Sequence, residues 1–169
     1  MRRYAWAIPS ERALAAIARY GPIVEIAAGT GYWARLLRER GVDIIAYDKT
    51  PPDGSDRNRY HRGAICWTEV RRGGITAIDA HPDRSLLLCW PPRWEQPQRG
   101  DGQSPVSHFV VRRYRGDTVI YIGEPGPRAT GSLSLWRRLR REWELTDEVA
   151  IPQWDVAHDR LMVWRRRPS

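Results

Sequence analysis

The sequence predicts an α/β fold in which helices cover both faces of a mostly parallel sheet. Three observations carry this. Short apolar runs alternate with stretches of helical periodicity along most of the chain, the pattern of repeated strand–helix units. The run Leu86-Leu87-Leu88-Cys89-Trp90 is continuously apolar, as a strand covered on both faces must be. The chain also closes with two stretches of alternating apolar residues, 143–151 and 158–165, joined through a loop that begins at Pro152, which reads as an antiparallel hairpin.

The elements follow in order. Tyr4 to Pro9 is an apolar arm, and Ser10 is placed to cap a helix over 11–20 that carries Leu14, Ile17 and Ala18 on one face and stops at Gly21. Ile23-Val24-Glu25-Ile26 is too short for a helix and reads as the first strand. It breaks at Gly29 and Gly31 and leads into a helix over 33–40, with Ala34, Leu36 and Leu37 as its apolar face. Glycines at such a junction admit positive φ and let a ligand approach the backbone, and the helix that follows offers unpaired N–H groups. A second strand over 42–47 ends on Asp48, seventeen residues past Gly31, where a carboxylate can accept hydrogen bonds from both hydroxyls of a ribose. Loop and acid together suggest a nucleoside-containing cofactor in a Rossmann-like crevice.

A polar, turn-rich loop fills 49–59. The third strand is expected over 64–70, then Gly73-Gly74 and a weakly helical stretch over 75–80. The fourth strand, 85–90, stops at Pro91-Pro92. The Pro-, Gly- and Gln-rich segment 93–105 is read as a substrate-gating loop. A helix over 106–114, a fifth strand over 117–124, a stiff loop over 125–131 and a helix from the Ser132 cap to Glu142 lead into the hairpin. The expectation is one domain spanning 1–169 with seven strands, residues 1–10 forming an arm that is either a lid or simply packed on the surface.

A net charge of +8 and a pI of about 10.2 invite a nucleic-acid reading. Lys49 is the single lysine, however, so nearly all the positive charge is arginine, and acidic residues are interspersed along most of the chain. The run of arginines 137–141 is expected to be a solvated helix face. Cys66 and Cys89 have neither CxxC spacing nor a histidine pair nearby, which argues against a zinc site or a disulfide framework. No signal peptide or membrane-spanning stretch is visible. A reduced cytoplasmic protein, monomer or homodimer, is the expectation.

Glu25-x-Ala27-x-Gly29-x-Gly31, with Asp48 closing the next strand, resembles the cofactor motif of class I S-adenosylmethionine (SAM) methyltransferases. The acid two positions before the glycine positions favours SAM over NAD, whose folds space their glycines differently and seat a pyrophosphate on the helix. Ala27, where the family has a glycine, is a departure. The resemblance runs from Glu11 to Arg167 and implies a Rossmann-like three-layer sandwich, a mostly parallel seven-stranded sheet with an antiparallel C-terminal hairpin strand. It implies SAM as cofactor, with Glu25, Ala27, Gly29, Gly31, Tyr32, Asp48, Lys49, Trp67 and Cys89 around it. Trp67, at the end of the third strand, is expected to stack on the adenine, and Glu69 to accept from its amino group. Trp90-Pro91-Pro92 resembles the Asp/Asn-Pro-Pro-aromatic loop of amino methyltransferases, but Cys89-Trp90 stand where the polar residue belongs, so that acceptor mechanism does not carry over.

Tyr4, Trp6, Trp90 and Pro91 are read as the acceptor pocket. His61, Glu69, His108, Glu124 and His158 can serve as bases, and Glu69 and Glu124 are favoured for their place at strand ends. Asp155 and Asp159 beside His158 are read as satisfying backbone groups in the last turn, and no metal is expected. The expected activity is SAM-dependent methylation of an O or N acceptor, a small metabolite or a peptide. The alternatives are a nucleic-acid methyltransferase, supported by charge but without a separate binding domain, and a non-catalytic SAM-binding subunit, which Ala27 and the unmatched Trp90-Pro91-Pro92 permit.

Overall fold

A computed structural model of the chain describes residues 4–91, 106–126, 130–155 and 157–168. Its strands are β1 (Ile23–Ile26), β2 (Ile44–Asp48), β3 (Arg71–Arg72), β4 (Ser85–Cys89), β5 (Thr118–Gly123), β6 (Trp143–Ala150) and β7 (Arg160–Arg166). The helices are α1 (Glu11–Ala18), α2 (Tyr32–Arg38), α3 (Val106–Arg113) and α4 (Leu133–Glu142), with a 3-10 helix over Ile75–Ala80. The strands form one sheet in the order β3-β2-β1-β4-β5-β7-β6. Pairs from β3 to β5 are parallel, and β7 runs antiparallel to both β5 and β6. This is the Rossmann-like, seven-stranded architecture with the antiparallel terminal hairpin that the sequence predicts. The order reverses between β1 and β4, which opens a crevice at the carboxyl ends of those strands.

Strand periodicity sorts the central side chains into two cores. Ile23, Leu87, Ile120 and Ile122 face one side, where α1 and α2 contribute Leu14, Ile17, Trp33 and Leu37. Val24, Leu86, Leu88, Val119 and Tyr121 face the other, against Ile78, Val110, Leu135, Trp136 and Leu139. All six residues of β5 are buried, as a central strand covered by helices on both faces requires. The capping readings hold: Ser10 accepts from the Ala13 N–H and Ser132 from the Leu135 N–H.

The third strand departs from expectation. Residues 64–70 do not ladder with β2, and only Arg71 and Arg72 pair with Tyr47 and Asp48. The segment is held by other means. The Ala64 carbonyl accepts from the Gly54 N–H, the Trp67 N–H donates to the Thr30 carbonyl at 2.8 Å, and Arg38 donates to the Glu69 carbonyl at 3.0 Å. Thr68 and Val70 pack instead on the bare Cα of Gly31, where an added Cβ would stand 2.6 Å from Val70 Cγ2. Thr68 and Val70, β-branched residues suited to a strand, therefore serve a packed loop.

The gating loop proposed over 93–105 lies outside the described residues. No helix among the described residues is long and apolar enough to cross a membrane, and no cluster of His, Cys, Asp and Glu among them could hold a metal ion. Surface arginines are widely paired, for example Arg40 with Glu11, Arg84 with Asp43 and Arg138 and Arg141 with Glu142. Exposed pairs of this kind contribute about 0–1 kcal/mol each.

Candidate functional site

The residue after β1 decides the shape of the site. Ala27 sits at φ +61°, a left-handed conformation that costs an L-residue about 1–2 kcal/mol. The alanine thus occupies the backbone conformation for which the glycine of the resembled motif is suited. Gly29 and Gly31 follow at φ +56° and +70°, and α2 starts immediately after. The loop is tied to β2: the Ala28 N–H donates to the Tyr47 carbonyl at 3.0 Å and the Gly29 N–H to Asp48 Oδ2 at 2.9 Å. Asp48 Oδ1 accepts from the Thr50 N–H at 2.8 Å. Each carboxylate oxygen thus carries one backbone bond and keeps lone-pair capacity for a ligand. Burial pushes the Asp48 pKa up, and the Thr50 and Gly29 N–H groups and His61 pull against that rise.

Above this loop lies a cavity of about 810 Å³ at the carboxyl ends of β1, β2 and β4. Of the residues expected around the cofactor, Glu25, Ala27, Gly29, Tyr32, Asp48, Lys49 and Cys89 line it. Glu25 alternates with Val24 and Ile26 and so points under α2. It is 2% exposed, its Oε2 has no hydrogen-bond partner, and burial raises its pKa to about 8, against the attraction of Arg38. A buried orphan oxygen on a cavity wall is the kind of group that a ligand donor satisfies. Burial pushes the Cys89 thiol well up, so it stays protonated.

Gly31 and Trp67 do not line the cavity. Gly31 caps α2 and receives Thr68 and Val70, as described. Trp67 is not on the cavity wall: it stacks on Tyr4 at 5.1 Å, stands edge-on to Tyr32 at 5.4 Å and lies under the Arg35 guanidinium. Tyr4, Trp6 and Trp90 line the cavity, whereas Pro91 is buried and its carbonyl accepts from the Gly131 N–H. Neither favoured carboxylate lines it. Glu69 is exposed and pairs with Arg71 at 3.0 Å. Glu124 is buried past the end of β5, its N–H donating to Thr130 Oγ1.

Part of the arm reaches the site. Tyr4, Ala5 and Trp6 all line the cavity, the Tyr4 carbonyl accepts from the Thr30 hydroxyl, and the Trp6 carbonyl accepts from Trp154 Nε1 at 2.7 Å. Trp6 stacks on Trp90 with centroids 5.7 Å apart and planes 13° from parallel.

Asn58, Arg59 and Tyr60 on the wall are not among the residues the sequence singles out, whereas His61 is one of its candidate bases. The loop 49–66 folds back over the crevice and brings in Asn58, Arg59, Tyr60 and His61. Asn58 organises it: its Nδ2 donates to the Thr50 carbonyl, and its Oδ1 accepts the N–H groups of Tyr60 and His61. The His61 ring presses on Gly29, where an added Cβ would stand 2.4 Å from its Nε2. An Asn two residues before a polar turn is the one local signal for this arrangement. Asp159 was also misread. It is fully buried, and its Oδ2 accepts from Trp90 Nε1 at 2.9 Å.

No family model and no curated protein matches the chain. Solved structures do. A 1,6-didemethyltoxoflavin-N1-methyltransferase of Burkholderia thailandensis, with bound 1,6-didemethyltoxoflavin and S-adenosylhomocysteine, is 17% identical over 94% of this chain and 78% of that one, with a TM-score of 0.57. An uncharacterized protein of Listeria monocytogenes is 15% identical over 96% and 70% of the two chains, at 0.55. MtNAS in complex with MTA and tNA is 16% identical over 93% and 58%, at 0.52. At these identities the likeness is one of fold. The chain has the class I methyltransferase fold, as its glycine motif leads one to expect.

Proposed function

We propose that the protein is a SAM-dependent methyltransferase acting on a small acceptor. The observation that carries this is the coincidence, in one cavity at the β1–β4 switch point, of a left-handed Ala27-x-Gly29 loop tied to Asp48, an orphan carboxyl oxygen on Glu25 and a wall of aromatic rings. The donor set fits the cofactor. Asp48 has the free lone pairs for ribose hydroxyls, and the segment Gly73 to Thr76 with Lys49 bounds the adenine end. Glu25 at the methionine end offers an acceptor to an ammonium group. The neighbour of similar fold that holds S-adenosylhomocysteine supports the same reading.

When bound, the cofactor supplies a methyl group activated on a sulfonium sulfur; an acceptor lone pair takes the methyl, the C–S electron pair returns to sulfur as a thioether, and the acceptor proton leaves. The chain's own part is positioning and exclusion of water. Trp6 and Trp90 set the acceptor wall, and the arm 4–9 closes the mouth. His61 is the base proposed for proton removal, because it lines the cavity and the carboxylates Glu69 and Glu124 do not. A small acceptor is favoured over nucleic acid because the cavity wall is built largely of aromatic and apolar side chains, Tyr4, Trp6, Tyr32 and Trp90 among them.

Calorimetric titration with SAM and S-adenosylhomocysteine, with NAD as control, tests the proposal. Micromolar binding of both and none of NAD is the expected result. Absence of binding to either adenosyl ligand overturns it.

A further inference from the structure

Two tryptophans meet at the cavity, and both are fixed from behind. Trp90 follows β4 at φ +47°, a conformation rare for a bulky side chain. Its N–H donates to the Ile122 carbonyl at 2.8 Å, and its indole N–H donates to Asp159 Oδ2 at 2.9 Å. Asp159 has no solvent exposure, and its Oδ1 has no partner, so its only hydrogen bond through the side chain among the described residues is the one to Trp90. Trp6 lies parallel to Trp90 and is anchored through its carbonyl by Trp154. The His61 ring stands edge-on to Trp6 at 6.4 Å. A backbone held in an unfavourable conformation, with a buried carboxylate spent on orienting one indole, marks a ring whose direction matters.

The cavity volume, about 810 Å³, lies toward the upper end of the roughly 300–1,000 Å³ typical of small-ligand sites. It accommodates a cofactor and one further small molecule. Rigid indole faces select flat π-systems, which stack in offset or edge-on geometry.

We propose that the acceptor is a planar aromatic or heteroaromatic molecule of one or two fused rings, bearing a hydroxyl or ring nitrogen as nucleophile. It lies against the Trp6–Trp90 wall, and Asp159 is the positioning residue that holds Trp90 in place. This rests on the methyl-transfer reading for the cofactor half of the cavity. The new bond forms between the acceptor heteroatom and the methyl carbon, the C–S bond breaks onto sulfur, and the acceptor proton passes to His61 or water.

The test is calorimetric binding of 2-naphthol, 4-hydroxyquinoline and lumazine, with the saturated alcohol 2-decalol as control. It is run on protein saturated with S-adenosylhomocysteine and on unloaded protein. At least one planar probe is expected to bind tenfold more tightly than 2-decalol. That preference is expected to fall at least fivefold in Trp90→Leu and in Trp6→Leu. Asp159→Leu should reduce it several-fold, while Asp159→Asn, which keeps an oxygen for the indole N–H, should restore it. Circular dichroism confirms that each variant is folded, and the Trp6 variant carries the test if the Trp90 variant is not. No planar preference in the wild type, or a preference that survives loss of either indole, overturns the proposal. Failure of S-adenosylhomocysteine to bind alongside a retained planar preference would instead remove the cofactor reading alone.

Discussion

Glu25→Gln separates the burial of a carboxyl group from its shape. In the folded protein Glu25 is 2% exposed and its pKa is raised by burial to about 8, from an ordinary value of 4.5. Between those two values the folded protein keeps the proton and the unfolded chain has lost it. The unfolded state then binds fewer protons, so stability falls as pH rises through this window. Each pH unit is worth about 1.4 kcal/mol, so the full effect by pH 8 is on the order of 4–5 kcal/mol, less whatever relaxation around the charge recovers. Glutamine has the same shape and does not ionise.

The variant should therefore match the wild type near pH 4.5 and exceed it by at least ~2 kcal/mol at pH 8. Urea unfolding followed by tryptophan fluorescence at pH 5, 6, 7 and 8 measures this. Parallel pH profiles for the two proteins would refute the reasoning, because they would mean that Glu25 ionises alike in folded and unfolded states. A variant less stable at every pH would show that the carboxyl makes an interaction the amide cannot.

Three further outcomes follow from the same loop. Ala27→Gly should stabilise the protein by about 0.5–1 kcal/mol, since relief of the left-handed alanine at φ +61° outweighs the added chain entropy; a lower midpoint in urea would contradict it. Gly29→Ala should destabilise by more than the φ cost of about 1–2 kcal/mol because its Cβ meets the His61 ring, and adding His61→Ala should recover the steric part; a strictly additive double-mutant cycle would remove that contact from the explanation. Asp48→Ala should weaken S-adenosylhomocysteine binding by at least tenfold, a loss of about 1.5–3 kcal/mol for hydrogen bonds to a charged group, and should also loosen the Gly29 loop; unchanged affinity by calorimetry would sink the ribose assignment.

The parts of this fold that were legible in the sequence are those where local pattern and burial agree. β4 and β5 read as apolar runs because both faces are covered, and the hairpin read through its alternation. The glycine loop and Asp48 read because a tight turn and a strand-end acid leave compositional marks, and seven of the nine residues named for the cofactor do line one cavity. Segment 64–70 failed for a physical reason. Ile65, Thr68 and Val70 have strand propensity, but the bare Cα of Gly31 offers Thr68 and Val70 a tighter partner than the sheet edge. Trp67 and Glu69, read at the end of that strand, lie off the cavity wall. Asn58, and the place of the candidate base His61, were hidden because only the fold-back of a long polar loop brings the His61 ring onto Gly29. Asp159 was hidden because its partner, Trp90, is 69 residues away, and no local spacing records that bond.

The arrangement of the site is tested most directly by a crystal structure of the protein with S-adenosylhomocysteine. The ligand is expected in the cavity above β1 and β4, its ribose hydroxyls on Asp48, its amino group near Glu25 and its sulfur directed toward Trp6 and Trp90. A ligand bound elsewhere, or one in this cavity with its ribose turned away from Asp48, would contradict it.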